Sequence, residues 1–280
     1  MGGLSALRVR AVLLDMDDTL LIDRATTRAA LWATAADACA SHALDPAALG
    51  DAVLAEARRL WGAGPHAGYC RRIGISSWEG LWGTFAVGDD PDTVGLRIFA
   101  PPYRRAAWGA ALERFGVRDG DLAAELAERF VAERAGRQRL FPEVLPALAA
   151  LRGAGLRLGI LTNGDRDLQR RKAAQSGLAA LADHVVISGA VGIGKPEPEV
   201  FRHALALCGA RPDEAVMVGD SRERDVAGGA AAGLHTVWLN RFAEAPDDQA
   251  GRPTAELPDL RGLPALLGEE PSAWAAMSSR

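Results

Sequence analysis

Four short β-branched or aliphatic runs recur along the chain, each ending in a polar turn: "VRAVLLDMD" from Val9, "LRLGILTNGD" from Leu156, "DHVVISGA" from Asp183 and "EAVMVGDS" from Glu214. A fifth, "HTVWLN", begins at His235. Near-continuous apolar character, rather than strict alternation, marks strands buried on both faces of a parallel sheet. Helical patterns lie between several of them. Leu145, Leu148 and Leu151 follow a helix-starting Pro142, the segment from Asp165 to Ser176 is closed by Gly177, and Val200 to Cys208 is closed by Gly209. Strand alternating with helix predicts an α/β fold, a doubly wound parallel (Rossmann-like) sheet.

The rhythm breaks once. Between the first and second strands, residues 23–139 predict an inserted, mostly α-helical domain with its own core. It opens with an Ala-rich stretch from Ala25 to Ala43 and carries Trp61, Trp78, Trp82 and Trp108 among Gly and Pro breaks. It closes with "DLAAELAERFVAERA", where Leu122, Leu126 and Phe130 share a face at i, i+4 spacing. The organisation expected is therefore core (1–22), helical cap (23–139), core continued (140–245) and a Pro- and Gly-punctuated tail (246–280) packing on the core at the sheet edge.

At 280 residues, with 49% hydrophobic and 24% charged, the chain can bury a sizeable core. A net charge of −4 provides no broad basic face, so nucleic acid is not an expected partner. No apolar run approaches the ~18 residues of a membrane span, and the opening "MGGLSALRVR" lacks the apolar centre of a signal peptide; a cytoplasmic protein without a membrane partner is expected. Cys39, Cys70 and Cys208 are too far apart for metal-ligand spacing and odd in number, which argues against a disulfide framework. Nothing in the pattern specifies an oligomeric state.

In an open parallel sheet, ligands bind outside the carboxyl ends of the strands. Each polar turn lies at such an end. The first supplies Asp15 and Asp17, the second Thr162, Asn163 and Gly164, the third leads to Lys195, and the fourth gives Asp220, Ser221 and Asp225. Asp15, Asp17 and Asp18 fall within four positions, and two unit charges at about 4 Å repel by roughly 4 kcal/mol at an effective dielectric near 20. A hard divalent cation with oxygen ligands offsets that repulsion, and Mg²⁺ typically takes one or two carboxylates, waters and a phosphate oxygen. On this reading Asp15 and Asp220 hold the metal, while Asp18 points the other way.

In order, "DMDDT", "LTNGD", Lys195 in "GKPEPEVF" and "GDSRERDVAGGAAAG" resemble the four motifs of the haloacid dehalogenase superfamily of hydrolases. The resemblance implies Asp15 as a nucleophile forming an aspartyl-phosphate and Asp17 as general acid and base. It implies Thr162 and Asn163, with Gly164, as phosphate binders, and Lys195 as charge partner of nucleophile and phosphate. It also implies Mg²⁺ on Asp15, the Asp17 backbone carbonyl and Asp220, with Ser221 and Asp225 supporting from behind. The insertion resembles the C1-type helical cap, which closes over small substrates. The expected activity is hydrolysis of a small phosphorylated metabolite.

Singly, each motif is weak. An Asp after a strand is often an N-cap, "TNGD" is a common turn, and a lone Lys before Pro is usually solvated. The conjunction at successive strand ends carries the weight. "GAVGIGKP", Gly189 to Pro196, imitates a Walker A loop except at its last place, where Pro196 lacks both the hydroxyl and the N–H required. "WGAGPHAGYCRRIGISSWEGLW" is either a substrate-facing loop or packed aromatic core with a solvated Arg pair. Competing functions are a phosphosugar mutase, a 2-haloacid dehalogenase, against which Asp17 argues, and a non-catalytic phospho-ligand binding module.

Overall fold

The computed structural model describes residues 8–245 and 251–268, which divide into two compact units. The first comprises Met1–Ile22, Leu140–Asn163 and Ala173–Arg280, the second Asp23–Arg139 and Gly164–Lys172.

The first unit is built on a six-stranded sheet of β1 (Ala11–Leu14), β2 (Arg157–Thr162), β3 (His184–Ile187), β4 (Ala215–Gly219), β5 (His235–Leu239) and β6 (Ala255–Leu257). Every neighbouring pair is parallel, in the order β3-β2-β1-β4-β5-β6. Side chains alternate between faces along each strand. Val12 and Leu14 join Leu158, Ile160, Val216, Val218 and Val237 on one face, under the helix Val144–Gly153. Ala11 and Leu13 join Leu161, Ala215 and Met217 on the other, under the helix Pro198–Cys208. Both faces are covered, so the strands are apolar throughout, and each fully buried Val or Leu contributes about 1.5–3 kcal/mol.

Succession runs outward from β1 through β2 to β3, then restarts on the other side at β4. That reversal puts the topological switch point at β1, and the crevice beyond its carboxyl end is where an open α/β sheet binds ligands. In register, Leu14 pairs with Ile160 on one side and Val218 on the other, so β1 and β4 end close together.

Three sequence expectations change. Leu145 is 51% exposed, and the buried face of its helix is Val144, Ala147, Leu148 and Leu151; the i, i+3, i+4 stripe starts one residue earlier than the leucines suggest. A sixth strand lies in the Pro- and Gly-rich tail, where three residues are too few to show periodicity. It is held by the Thr254 N–H to the Thr236 carbonyl (2.8 Å) and the Asn240 N–H to the Leu257 carbonyl (2.8 Å). Parts of the expected tail, residues 246–250 and 269–280, lie outside the described residues. Finally, residues 164–172 were expected in the core and group with the second unit, because Leu168 is buried in that unit's apolar cluster.

The second unit is helical, with long helices Arg24–His42, Pro46–Gly62, Pro91–Glu113 and Gly120–Ala135. Asp45, Asp90 and Asp119 cap the last three by accepting first-turn N–H groups, and Pro46 and Pro91 stand where a missing N–H costs nothing. Pro101 and Pro102 do not break the helix Pro91–Glu113; its buried side, including Ala100, Tyr103, Arg104 and Ala107, overrides their propensity. The Gly-rich stretch after Trp61 forms the short helices Ala67–Ile73 and Ser77–Gly80, with Trp61, Cys70, Ile73 and Trp82 in the core and Arg71 and Arg72 exposed. Packing is the reading that holds there: the Trp61 and Tyr103 rings lie 4.9 Å apart, and the Phe99 and Tyr103 rings 5.7 Å.

Candidate active site

At the carboxyl ends of β1 and β4 in the first unit, Asp15, Asp220 and Asp225 come together with Lys195. Asp15 follows β1 directly, and its N–H donates to the Val218 carbonyl at 2.9 Å, so it leaves the sheet under backbone control. The chain then folds back on itself. Asp18 takes a left-handed conformation, φ 58°, which Asp tolerates better than most residues, and the Leu20 and Leu21 N–H groups both bond the Met16 carbonyl. Asp17, two residues past Asp15, is half-buried and bridges to Leu21.

Lys195 is the hub. Its Nζ donates to Asp15 Oδ1 and to Asp225 Oδ1, both at 2.7 Å, and all three side chains are buried. Burial alone would lower the Lys195 pKa, but the two carboxylates outweigh it and raise it. Burial pushes the Asp15 carboxyl above its ordinary range, with Asp225 adding to the rise and Lys195 opposing it. Two carboxylates share one ammonium, which leaves the cluster short of positive charge.

Asp220 follows β4. Oxygens of Asp15, Asp220 and Asp225 all lie within 4.8 Å of one another. Such an all-oxygen donor set, with a surplus of negative charge, fits a hard divalent cation. Asp225 has both oxygens engaged, Oδ1 by Lys195 and Oδ2 by the Ser221 N–H at 3.0 Å. Asp225 is carried on the π-helical turn Arg222–Ala227, and the Ser221 hydroxyl caps that turn by accepting the Arg224 N–H at 3.2 Å. Wide turns of this kind recur at functional sites. Gly219 is required next to it: a Cβ there would fall 2.2 Å from Asp225 Oδ2.

Thr162 ends β2, fully buried, and its hydroxyl lies 3.4 Å from the Asn163 carbonyl. The Asn163 amide was expected to bind phosphate. Its Nδ2 donates to the Lys195 carbonyl and its Oδ1 accepts the Lys195 N–H, both at 2.8 Å. Gly194 makes room for it, since a Cβ there would sit 2.8 Å from Asn163 Oδ1. Gly164 belongs to the second unit, where its N–H donates to the Ile73 carbonyl at 3.2 Å and a Cβ would strike Gln169 and Glu79.

Sequence reasoning gave no role to Thr19, although it closes the "DMDDT" motif. Its hydroxyl bonds the Asp15 carboxylate and accepts the Asp220 N–H at 3.1 Å, tying the β1 and β4 turns together. A hydroxyl directly after an acidic triplet was the available signal.

Comparison with known proteins places the geometry in context. The family model described as haloacid dehalogenase-like hydrolase matches residues 9–233. The chain is 40% identical over 253 residues to a phosphoserine phosphatase of Thermus thermophilus, spanning 90% of this chain and 97% of that one. Among solved structures it is similar to a 2-haloacid dehalogenase from Pseudomonas syringae, with 26% identity, a TM-score of 0.55, and 92% and 98% of the two chains covered. It is also similar to the Bacillus subtilis protein YfnB bound to magnesium, with 22% identity, a TM-score of 0.61, and 93% and 99% covered.

Proposed function

Since the chain belongs to the haloacid dehalogenase-like hydrolases and is a phosphatase of small phosphorylated metabolites, we propose that Asp15 is its nucleophile, that Mg²⁺ is its cofactor and that O-phosphoserine is the first substrate to test. The observation that carries the nucleophile is the Lys195 ammonium bridging Asp15 and Asp225 at 2.7 Å beside Asp220.

Asp15 Oδ attacks phosphorus as the bond to the leaving oxygen breaks, which gives an aspartyl-phosphate. Asp17 donates its proton to that oxygen, then takes a proton from the water that attacks phosphorus in the second step, and the Asp15 carboxylate is restored. The two-step route suits a carboxylate, because each displacement is easier than direct attack by water on one of the slowest-hydrolysing bonds in biology. Lys195 offsets charge on the transferring group, and the Thr162 hydroxyl contributes a hydrogen bond to it. Asn163 acts by fixing the Lys195 backbone. Asp15, the Asp17 backbone carbonyl and Asp220 would hold Mg²⁺, which neutralises charge on the phosphoryl oxygens. Ser221 and Asp225 brace that arrangement.

Asp17 separates this reading from dehalogenation, in which no leaving alcohol needs a proton. O-phosphoserine is favoured by the Thermus relative. A cytoplasmic setting agrees with three buried free thiols. Among the described residues no helix is long and apolar enough to cross a membrane.

Phosphate release from O-phosphoserine and a panel of sugar phosphates, with and without EDTA, tests the proposal. Mg²⁺-dependent release that is abolished in Asp15→Asn supports it. Full activity of that variant, or turnover indifferent to metal, overturns it; isomerised sugar phosphate with little free phosphate points to a mutase.

A further inference from the structure

The end of β5 makes two bonds to the turns that carry the carboxylates, and the reaction as proposed uses neither. Trp238, 1% exposed, donates its indole N–H to the Asp220 carbonyl at 2.9 Å. The Arg222 guanidinium lies over the indole ring, 4.8 Å from its centroid, and itself donates to the Gly251 carbonyl at 2.8 Å. Three residues further on, Arg241 donates through Nη2 to the Thr19 carbonyl at 2.7 Å. Its side chain is 5% exposed, pairs with Glu143 at 2.6 Å and stacks on the Phe141 ring at 3.7 Å.

Together with Thr19, these bonds form a closed frame. Asp220 is gripped at its N–H by the Thr19 hydroxyl and at its carbonyl by Trp238, while Thr19 is gripped at its carbonyl by Arg241. The frame thus fixes the backbone on both sides of the gap between Asp15 and Asp220. A short carboxylate side chain has only two rotatable bonds, so a fixed backbone leaves little freedom in where its oxygens point. Holding like charges together before a cation arrives is unfavourable, and rigid neighbours that bear this cost raise affinity.

We infer that Trp238 and Arg241 are positioning residues that hold Asp220 and the Asp15–Thr19 turn ready for a divalent cation. The inference rests on the reading of Asp15 and Asp220 as Mg²⁺ ligands. Trp238→Phe keeps an aromatic ring near Arg222 and removes the N–H donor together with part of the indole's volume, a packing loss that the melting measurement reads separately. Arg241→Lys keeps a cation beside Glu143 but loses the planar fork that reaches the Thr19 carbonyl at the same time.

Isothermal titration with MgCl₂ on the full-length proteins is the test, with thermal melting of each metal-free protein alongside. Each variant is expected to bind Mg²⁺ about tenfold more weakly than wild type, at the lower end of what removal of a ligand's supporting partner costs. Lowered melting temperatures with unchanged Mg²⁺ affinity in both variants would mean a purely structural role and would overturn the inference. If one variant does not fold, the affinity of the other decides. A wild-type protein that binds no Mg²⁺ at all would instead sink the metal reading, and this inference with it.

Discussion

The Asn163 side chain shows how far one residue's role depends on what its amide finds. Here the Lys195 backbone engages both polar atoms of the amide at 2.8 Å, so the side chain holds a distant segment of the chain in place. Losing them leaves a buried Lys195 N–H without its acceptor, at a cost of about 1–3 kcal/mol. Because the displaced ammonium acts on charge that develops during reaction, Asn163→Ala is expected to lower kcat by about tenfold to a hundredfold with little change in KM. Steady-state kinetics checks this: a large rise in KM at unchanged kcat would return the Asn163 amide to direct phosphate binding. Thr19 makes the complementary point, since one hydroxyl of modest size joins the Asp15 carboxylate to the Asp220 N–H across two turns distant in sequence.

Helices of the second unit are tied together by a buried cluster of charge. Asp23, just before the helix Arg24–His42, pairs with Lys172 at 3.0 Å and with Arg134 of the helix Gly120–Ala135. Arg134 also donates to the Thr27 hydroxyl at 3.0 Å, and both cations lie over the Trp82 ring, Arg134 at 4.5 Å and Lys172 at 5.7 Å. Burial by itself would raise the Asp23 carboxyl pKa, but Lys172 and Arg134 outweigh it and hold it below its ordinary value of 3.8. A carboxyl lowered on folding contributes stability that is present above the unfolded pKa and lost as pH falls through the folded one. Removing one partner of a buried pair strands the others, so Asp23→Asn is expected to destabilise the protein by about 3–5 kcal/mol at neutral pH. Denaturant unfolding should show the gap between wild type and variant narrowing as the pH drops below 3.8. A constant gap down to the acid limit would show that Asp23 contributes by packing and not by charge.

Across the whole molecule, a ligand that binds only the folded state stabilises it in proportion to its occupancy. At a hundred times its Kd, Mg²⁺ would add about 2.7 kcal/mol, which for a chain of this size raises Tm by roughly 4–5 °C. Differential scanning calorimetry with MgCl₂ and with EDTA measures that shift, and Asp220→Asn is expected to remove most of it. An equal shift in the variant would take Asp220 out of the ligand set. The strand rhythm and the four polar turns were legible in the sequence because buried parallel strands are apolar along their length and functional groups gather at strand ends, both local properties of the chain. The insertion was legible for the same reason, as an interruption of that rhythm. Other features were set by contacts between residues far apart in the chain. Asn163 reaches the Lys195 backbone because Gly194 leaves room for it. Residues 164–172 join the second unit because Leu168 and Lys172 find apolar neighbours and Asp23 there. Trp238 reaches Asp220 because β4 and β5 pair in one register. The chain order of the residues fixed which groups stand at the strand ends; only the folded packing decided which of them touch one another, since a side chain's partners depend on distances through space that spacing along the chain does not contain.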